Sequence, residues 1–255
     1  MKPELILVGA GPGDPELISV KGIKALKNAD VVLYDALVHP DLLNYCSAGA
    51  VKIFVGKRAG MHSFQQQQIN RMIVEHALAN KKVVRLKGGD PFIFGRGQEE
   101  IEYAEAFGID TSVIPGISSI NLPGYYGIPL TVRGVNESFW VITATTTGGR
   151  LSDDVKLAAQ SSATIVLFMA LKKLNLVVNV FKDALKHTLP VAIITKGSLP
   201  EGGLLLGTID TIEGIVIREK PAAPALIVIG ETVGVHREFL ASVETLKSKL
   251  LAENE

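Results

Sequence analysis

Short apolar runs alternate with amphipathic stretches through the first half of the chain. Five runs have the length and the Val, Ile, Leu and Phe content of β-strands: residues 4–9, 30–35, 51–57, 81–87 and 111–116. Three stretches between them repeat their apolar residues with the helical period, which predicts helices over residues 19–29, 65–79 and 98–107. Strands that alternate with helices predict βα units and a mostly parallel sheet.

The pattern starts again in the second half, after a turn-rich stretch over residues 127–138 that we interpret as a linker. Four runs predict strands and one amphipathic stretch predicts a helix: strands over residues 139–144, 163–170, 189–195 and 224–230, and a helix over residues 172–186. Residues 202–209 predict a short antiparallel strand. The sequence therefore predicts an α/β fold of two domains, residues 1–134 and 135–255.

Composition narrows the class of protein. Of the 255 residues, 47% are hydrophobic and 20% are charged, as is typical of soluble globular proteins. Lys+Arg and Asp+Glu number 26 each, so no overall charge would attract a nucleic acid or an anionic membrane. The single cysteine, Cys46, is typical of a reducing compartment, and no apolar run is long enough for a membrane span, so we expect a cytoplasmic protein. The sequence shows no spacing typical of a metal site or a nucleophilic triad.

Glycine-bearing turns follow three of the predicted strands in the first half. They are GAGPGDP at 9–15, KGGDP at 87–91 and PGISS at 115–119. In an open parallel sheet, ligands bind at the carboxyl ends of the strands, and glycines there let a ligand approach the backbone. We therefore expect a ligand site at this edge of the first sheet.

A dinucleotide is not the expected ligand of the first turn. The phosphate-binding fingerprint would need a third glycine at position 14, where the chain has Asp14, and no P-loop pattern occurs. Both Gly-Asp-Pro triplets also fit a plain helix start, with Asp14 or Asp90 as the N-cap, so capping alone and ligand binding both remain open. The doubled glycine at 88–89 is not needed by a cap and favours a ligand.

Six motifs are distinctive in combination: residues 8–38, VGKRAGMHS (55–63), VVRLKGGDPFIFGRGQEE (83–100), VIPGISS (113–119), GIPLTVRG (127–134) and PALIVIGETV (224–233). With these motifs the chain resembles the tetrapyrrole methylase family over nearly its whole length. The resemblance implies two α/β domains that hold S-adenosyl-L-methionine (SAM) in a cleft between them, and a homodimer. It also implies a small-molecule tetrapyrrole substrate, with two methyl transfers to C2 and C7 of uroporphyrinogen III that give precorrin-2 for sirohaem or cobalamin synthesis.

The resemblance also assigns roles to individual residues. It implies a set of cofactor contacts: Pro12, Gly88, Gly89, Asp90, Ile93, Ser118, Ser119, Met169, Gly197 and Ala225. Asp35 and Lys57 match positions proposed in the family as proton acceptor and proton donor. For Asp35, the alternative is a capping or solvated carboxylate at the end of a strand. The chain departs from the commoner family pattern at Val132, at 144–145 and at Ala170.

Uroporphyrinogen III is a polycarboxylate, so a neutral protein that binds it needs cations concentrated at the site. Four basic residues lie in or beside the matched motifs: Arg58, Lys87, Arg96 and Arg133. Paired Arg and carboxylate groups would orient such a substrate. Taken one at a time, each of these residues also fits a solvated surface charge.

Two other functions remain open from the sequence. One is a methyltransferase of the same family that acts on a later corrin precursor, which the GKRAG and FGRG stretches disfavour. The other is a non-catalytic module that binds an adenosine nucleotide. The interrupted glycine fingerprint disfavours a dinucleotide as the ligand but does not exclude adenosine.

Overall fold

The computed structural model describes residues 2–56, 64–79 and 81–241. The chain divides into two compact units, residues 1–119 and 120–255, and each is built on one five-stranded sheet. The two α/β domains predicted from the sequence are thus present. Within the described residues, no helix combines the length and the apolar character that crossing a membrane requires.

The first unit contains a parallel sheet whose strands lie where the apolar runs predict them. They are β1 (Glu4–Gly9), β2 (Val31–Tyr34), β3 (Val51–Phe54), β4 (Lys82–Lys87) and β5 (Asp110–Ile114). The order is β3-β2-β4-β1-β5, and every neighbouring pair is parallel. The carboxyl ends of all five strands therefore meet at one edge, as predicted.

Apolar side chains cover both faces of this sheet. The helices of the unit are α1 (Val20–Lys27), α2 (Gln66–Leu78) and α3 (Gly97–Glu105). Val32 packs with Leu26 of α1 on one face. Leu33 packs with Ile73 of α2 and Ile101 of α3 on the other face. Successive side chains of a strand point to opposite faces, so a buried parallel strand needs apolar residues at nearly every position.

The second unit contains a mixed sheet. Its strands are β6 (Phe139–Thr143), β7 (Thr164–Phe168), β8 (Pro190–Thr195), β9 (Gly203–Thr208) and β10 (Ala225–Ile229), and its helices are α4 (Leu122–Tyr125), α5 (Asp154–Gln160), α6 (Leu174–Asp183) and α7 (Ile212–Glu219). The order is β6-β7-β10-β8-β9, and only β6 and β7 are parallel neighbours. The predicted antiparallel β9 is confirmed. The alternation of strands and helices did not predict that β10 would insert antiparallel between β7 and β8.

The boundary between the units lies at residue 119, not at 134 as the sequence predicted. The stretch from 127 to 138 is not a linker, because Ile128 is fully buried in the core of the second unit with Val166 and Val228. Asn136 organises the turn beside it: its side-chain amide donates to the backbone oxygens of Leu130 (2.9 Å) and Ser138 (2.8 Å). The polar residues that look like a linker therefore form an ordered turn around a buried amide.

Candidate active site

Three glycines touch where the strands of the first sheet end. A Cβ atom built on Gly116 would lie 2.3 Å from the carbonyl oxygen of Gly89 and 2.7 Å from Cα of Gly9. A Cβ on Gly9 would lie 2.4 Å from the backbone nitrogen of Gly116. Any other residue at these two positions would displace backbone. The predicted convergence of the three glycine turns is therefore confirmed.

Hydrogen bonds between the turns after β1 and β4 fix this edge. The backbone nitrogen of Ala10 donates to Lys87 O at 2.7 Å, and that of Gly89 donates to Gly11 O at 2.7 Å. Gly11 and Gly89 have φ angles of +84° and +67°, in the left-handed region that favours glycine. A Cβ on Gly89 would meet no atom of the described residues within 4 Å, so the backbone here borders open space.

The Asp90 carboxylate joins the turn after β4 to the turn after β5. Its Oδ1 accepts from the backbone nitrogen of Phe92 at 2.8 Å, and its Oδ2 accepts from that of Gly116 at 3.1 Å. Asp90 does not start a helix, because α3 begins only at Gly97. Asp14, in contrast, does cap the short 3-10 helix that follows it, by accepting from the backbone nitrogen of Glu16 at 2.8 Å.

The loop from 92 to 96 carries unusual backbone angles. Phe94 and Arg96 have φ angles of +54° and +59°, although neither is glycine. A Cβ on Gly95, between them, would lie 2.4 Å from the carbonyl oxygen of Pro91. Such strain persists only where the surroundings impose it, and it concentrates at functional sites.

Arg96 is exposed in this loop but is already paired. Its guanidinium forms two hydrogen bonds to the Glu99 carboxylate, at 2.8 and 2.6 Å. The hydrogen bond to Glu99 raises the pKa of Arg96, and the same contact lowers the pKa of Glu99. A substrate carboxylate would therefore compete with Glu99 for this guanidinium.

Lys87 is buried, although its sequence motif predicted a cation available to the substrate. Its side chain is 5% exposed, and its Nζ donates to Oε2 of Glu100 at 2.8 Å. Arg85 binds the other oxygen of the same carboxylate, at 3.1 Å from Nε to Oε1. Burial lowers the pKa of Lys87, the charge of Arg85 lowers it further, and Glu100 opposes both effects. Lys87 therefore belongs to an internal charge cluster. Direct contact between Lys87 and the substrate stays a prediction.

Asp35 lies immediately after β2, beside the glycine turns. Its Oδ1 accepts from the backbone nitrogen of Leu37 at 3.0 Å, and its Oδ2 accepts from that of Gly88 at 3.4 Å. Nη2 of Arg85 lies 3.6 Å from the same Oδ2. The side chain is 24% exposed, so the carboxylate borders solvent while protein groups hold its orientation.

The remaining predicted residues of the first unit fall at the same edge or outside the described residues. Pro12 and Ile93 are half-buried in the turns after β1 and β4. Ser118 is buried and Ser119 is half-buried in the turn after β5. Lys57 and Arg58 lie outside the described residues.

In the second unit, Met169, Gly197 and Ala225 share one edge of the sheet. Met169 follows β7 and Gly197 follows β8, whereas Ala225 begins the antiparallel β10 opposite Thr195. Met169 is 55% exposed with a φ angle of +53°. A Cβ on Gly197 would lie 2.6 Å from a methyl carbon of Ile194. The three residues predicted to contact the cofactor from this unit are therefore brought together.

Arg133 belongs to the second unit and is exposed in the turn that precedes Asn136. Within residues 2–56, 64–79 and 81–241, His, Cys, Asp and Glu side chains form no group that could hold a metal ion.

The sequence alone did not indicate a functional role for Arg85 or Glu100. A signal for them was present, because β4 is a central strand and its cations at alternate positions point to one face of a buried sheet. A charge in such a place needs a partner of opposite sign. Glu100 of α3 is that partner, and its side chain is fully buried.

Residues 4–213 match the family of tetrapyrrole (corrin/porphyrin) methylases. The uroporphyrinogen-III C-methyltransferase of Methanocaldococcus jannaschii is 46% identical over 241 residues, which cover 92% of this chain and 98% of that protein. The siroheme synthase of Photorhabdus laumondii is 43% identical, over 94% of this chain. The chain spans about half the length of that synthase.

Among solved structures, the uroporphyrin-III C-methyl transferase of Thermus thermophilus in complex with S-adenyl homocysteine is similar to this chain. Its TM-score is 0.79 at 34% sequence identity, and the match covers 91% of this chain and 99% of that one. The likeness therefore includes both units.

Proposed function

Because the chain belongs to the tetrapyrrole methylase family, we propose that it is a SAM-dependent C-methyltransferase that converts uroporphyrinogen III to precorrin-2 by methylation at C2 and C7. The observation that carries the proposal is the glycine-lined edge of the first sheet, at which Gly9, Gly89 and Gly116 bring three turns together. The relative from Methanocaldococcus jannaschii, of nearly equal length, supports this choice of acceptor.

The described residues fit a cofactor that combines an amino acid with a nucleoside. The backbone at Gly89 borders open space, because a Cβ there would meet no described atom within 4 Å, whereas Gly88 packs against Leu37. Ser118 and Ser119 add hydroxyl groups after β5. Pro12, Ile93 and Asp90 complete the proposed contacts of the first unit, and Met169, Gly197 and Ala225 those of the second. This combination of backbone, hydroxyl and apolar groups is typical of small-molecule sites.

SAM, when bound, supplies a methyl group whose bond to sulfur breaks, with the electron pair left on sulfur, as the acceptor carbon bonds to the methyl. The protein must align the acceptor carbon with the methyl group before the transfer and remove a proton from the methylated ring after it. Alignment alone can contribute a large part of the rate. We assign the proton to Asp35, whose carboxylate is partly exposed and is oriented by Leu37 and Gly88.

The cations are assigned to the substrate carboxylates on the strength of their chemistry. Arg96 and Arg133 are exposed, and Arg58 and the proposed proton donor Lys57 lie in the same matched motif outside the described residues. A guanidinium can bind a carboxylate through two parallel hydrogen bonds, as Arg96 binds Glu99. A substrate carboxylate that replaced Glu99 would form the same pair.

Incubation with SAM and uroporphyrinogen III, followed by mass analysis of the product, tests the proposal. We expect a gain of two methyl groups and a matching amount of S-adenosylhomocysteine. Methylation of a later corrin precursor, with none of uroporphyrinogen III, would favour the alternative substrate. Stabilisation against heat by NAD or ATP, but not by S-adenosylhomocysteine, would contradict methyl transfer altogether.

A homodimer and a cytoplasmic location are the remaining parts of the proposal. The homodimer rests on the resemblance to the family, and the cytoplasmic location rests on the single cysteine, Cys46. The mass of the native protein in solution tests the first, and fractionation of the source cells tests the second.

A further inference from the structure

A cluster of buried charges lies behind the glycine-lined edge of the first sheet. Arg85 and Lys87 occupy alternate positions of β4, so both side chains point to the face that α2 and α3 cover. Glu100 of α3 lies between them and accepts from both. The exposed fractions of the three side chains are 5%, 5% and 0%. Gln66 of α2 donates a further hydrogen bond to Glu100, at 3.1 Å.

The Arg85 guanidinium is held on three sides. Its Nε donates to Glu100, and its Nη1 donates to the carbonyl oxygens of Leu86 at 2.9 Å and Leu33 at 3.4 Å. Because the guanidinium is planar, fixing Nε and Nη1 also fixes the direction of Nη2. Nη2 faces Oδ2 of Asp35, at 3.6 Å.

Asp35 is the only partly exposed member of this charge network among the described residues. Arg85 and Gly88 both face its Oδ2, while Leu37 holds Oδ1. The network contains two cations and two carboxylates, so its net charge is zero only when the carboxylate of Asp35 is included. The network therefore connects the fully buried Glu100 to the carboxylate that borders the candidate site.

We propose that Arg85 is a positioning residue for methyl transfer, which orients the Asp35 carboxylate to accept the proton released by the methylated ring, and that Glu100 fixes Arg85 for this task. The inference rests on the proposed function. Arg85 is buried, so it acts through Asp35 and does not touch the substrate. When Arg85 is removed, Glu100 keeps Lys87 as its ion-pair partner, so neither buried charge is left unpaired.

A double-mutant cycle with Arg85→Gln and Asp35→Asn tests this role. Turnover by the unsubstituted protein is measured first and tests the proposed function by itself. In that background we expect Arg85→Gln to lower kcat by about 100-fold, the size of effect that a misplaced catalytic group produces, with KM for SAM unchanged. In the Asp35→Asn background, the same substitution should change kcat little, because the carboxylate that Arg85 positions is gone.

Arg85→Lys keeps a cation beside Glu100 and should retain an intermediate kcat. It replaces Arg85→Gln in the cycle if the glutamine variant does not fold. Thr164→Val is the control: it removes a buried hydrogen bond to Thr232 in the second unit, outside the charge network, so it should lower the melting temperature and leave kcat unchanged. An equal loss of kcat from the Arg85 substitution in both backgrounds would overturn the proposal, as would an unchanged kcat.

Discussion

Gly116→Ala is expected to disrupt the candidate site at the edge of the first sheet and to destabilise the fold. The new Cβ would lie 2.3 Å from Gly89 O and 2.7 Å from Gly9 Cα, and neither backbone atom can rotate away. At least one of the three glycine turns must therefore shift. We expect the free energy of unfolding to fall by about 3 kcal/mol, and turnover to fall by about 100-fold in the protein that remains folded.

Chemical denaturation measures the change in the free energy of unfolding, and methylation of uroporphyrinogen III by the folded protein measures the change in turnover. Gly49→Ala is the matched control, because a Cβ there meets no described atom within 4 Å and the position is an exposed turn. It should change the free energy of unfolding by no more than about 0.5 kcal/mol. If Gly116→Ala behaved like Gly49→Ala, the close contact of the three turns would not be a feature of the protein in solution.

Asp35→Asn is expected to have the largest effect on the chemical step. The asparagine keeps the size of the side chain and an oxygen that can accept from the backbone nitrogen of Leu37. It loses the basic carboxylate, and removal of a general base typically lowers the rate by about 100-fold to 10,000-fold. We expect that loss in kcat, with affinity for S-adenosylhomocysteine nearly unchanged.

Single-turnover methylation and calorimetric titration separate these two quantities. Asp41→Asn is the control, because Asp41 is an exposed carboxylate of the same unit whose ion-pair partner is His39. Its kcat should equal that of the unsubstituted protein. Equal losses of kcat and of cofactor affinity in Asp35→Asn would remove the proposed role and leave Asp35 as a residue that shapes the turn.

The local parts of the fold follow from the sequence because they depend on nearest neighbours along the chain. Ser19 caps α1 at the start of the predicted helix, by accepting from the backbone nitrogen of Gly22 at 3.0 Å. The strands begin and end close to the predicted residues for the same reason, since apolar runs and the glycines beside them are visible one segment at a time. The convergence of the glycine turns follows once the first sheet is taken to be parallel.

Two features depend on which strands become neighbours, which no single segment reveals. β10 lies between β7 and β8 and runs antiparallel to both, although the run from 224 to 230 looks like any buried strand. Ile128 packs in the core of the second unit, although the turn-forming residues around it resemble a linker. Both features depend on contacts between residues that are far apart in the chain, which the local pattern of apolar and polar residues does not predict.

The buried charges show a third limit. Arg85 and Lys87 are basic residues in a matched motif, and their exposure could not be judged before α3 was placed against β4. From the sequence alone, Lys87 fits either a substrate-binding cation or a solvated surface charge, and Arg85 has no predicted role. The roles of these residues therefore depend on a partner from another element.

Methyl transfer from labelled SAM to uroporphyrinogen III tests the central claim most directly. With SAM that carries ¹³C in its methyl group, NMR of the product locates each transferred carbon. The proposed function predicts two labelled methyl groups, one at C2 and one at C7. A labelled methyl group at any other ring position, or no label in the tetrapyrrole while SAM is present in excess, would contradict it.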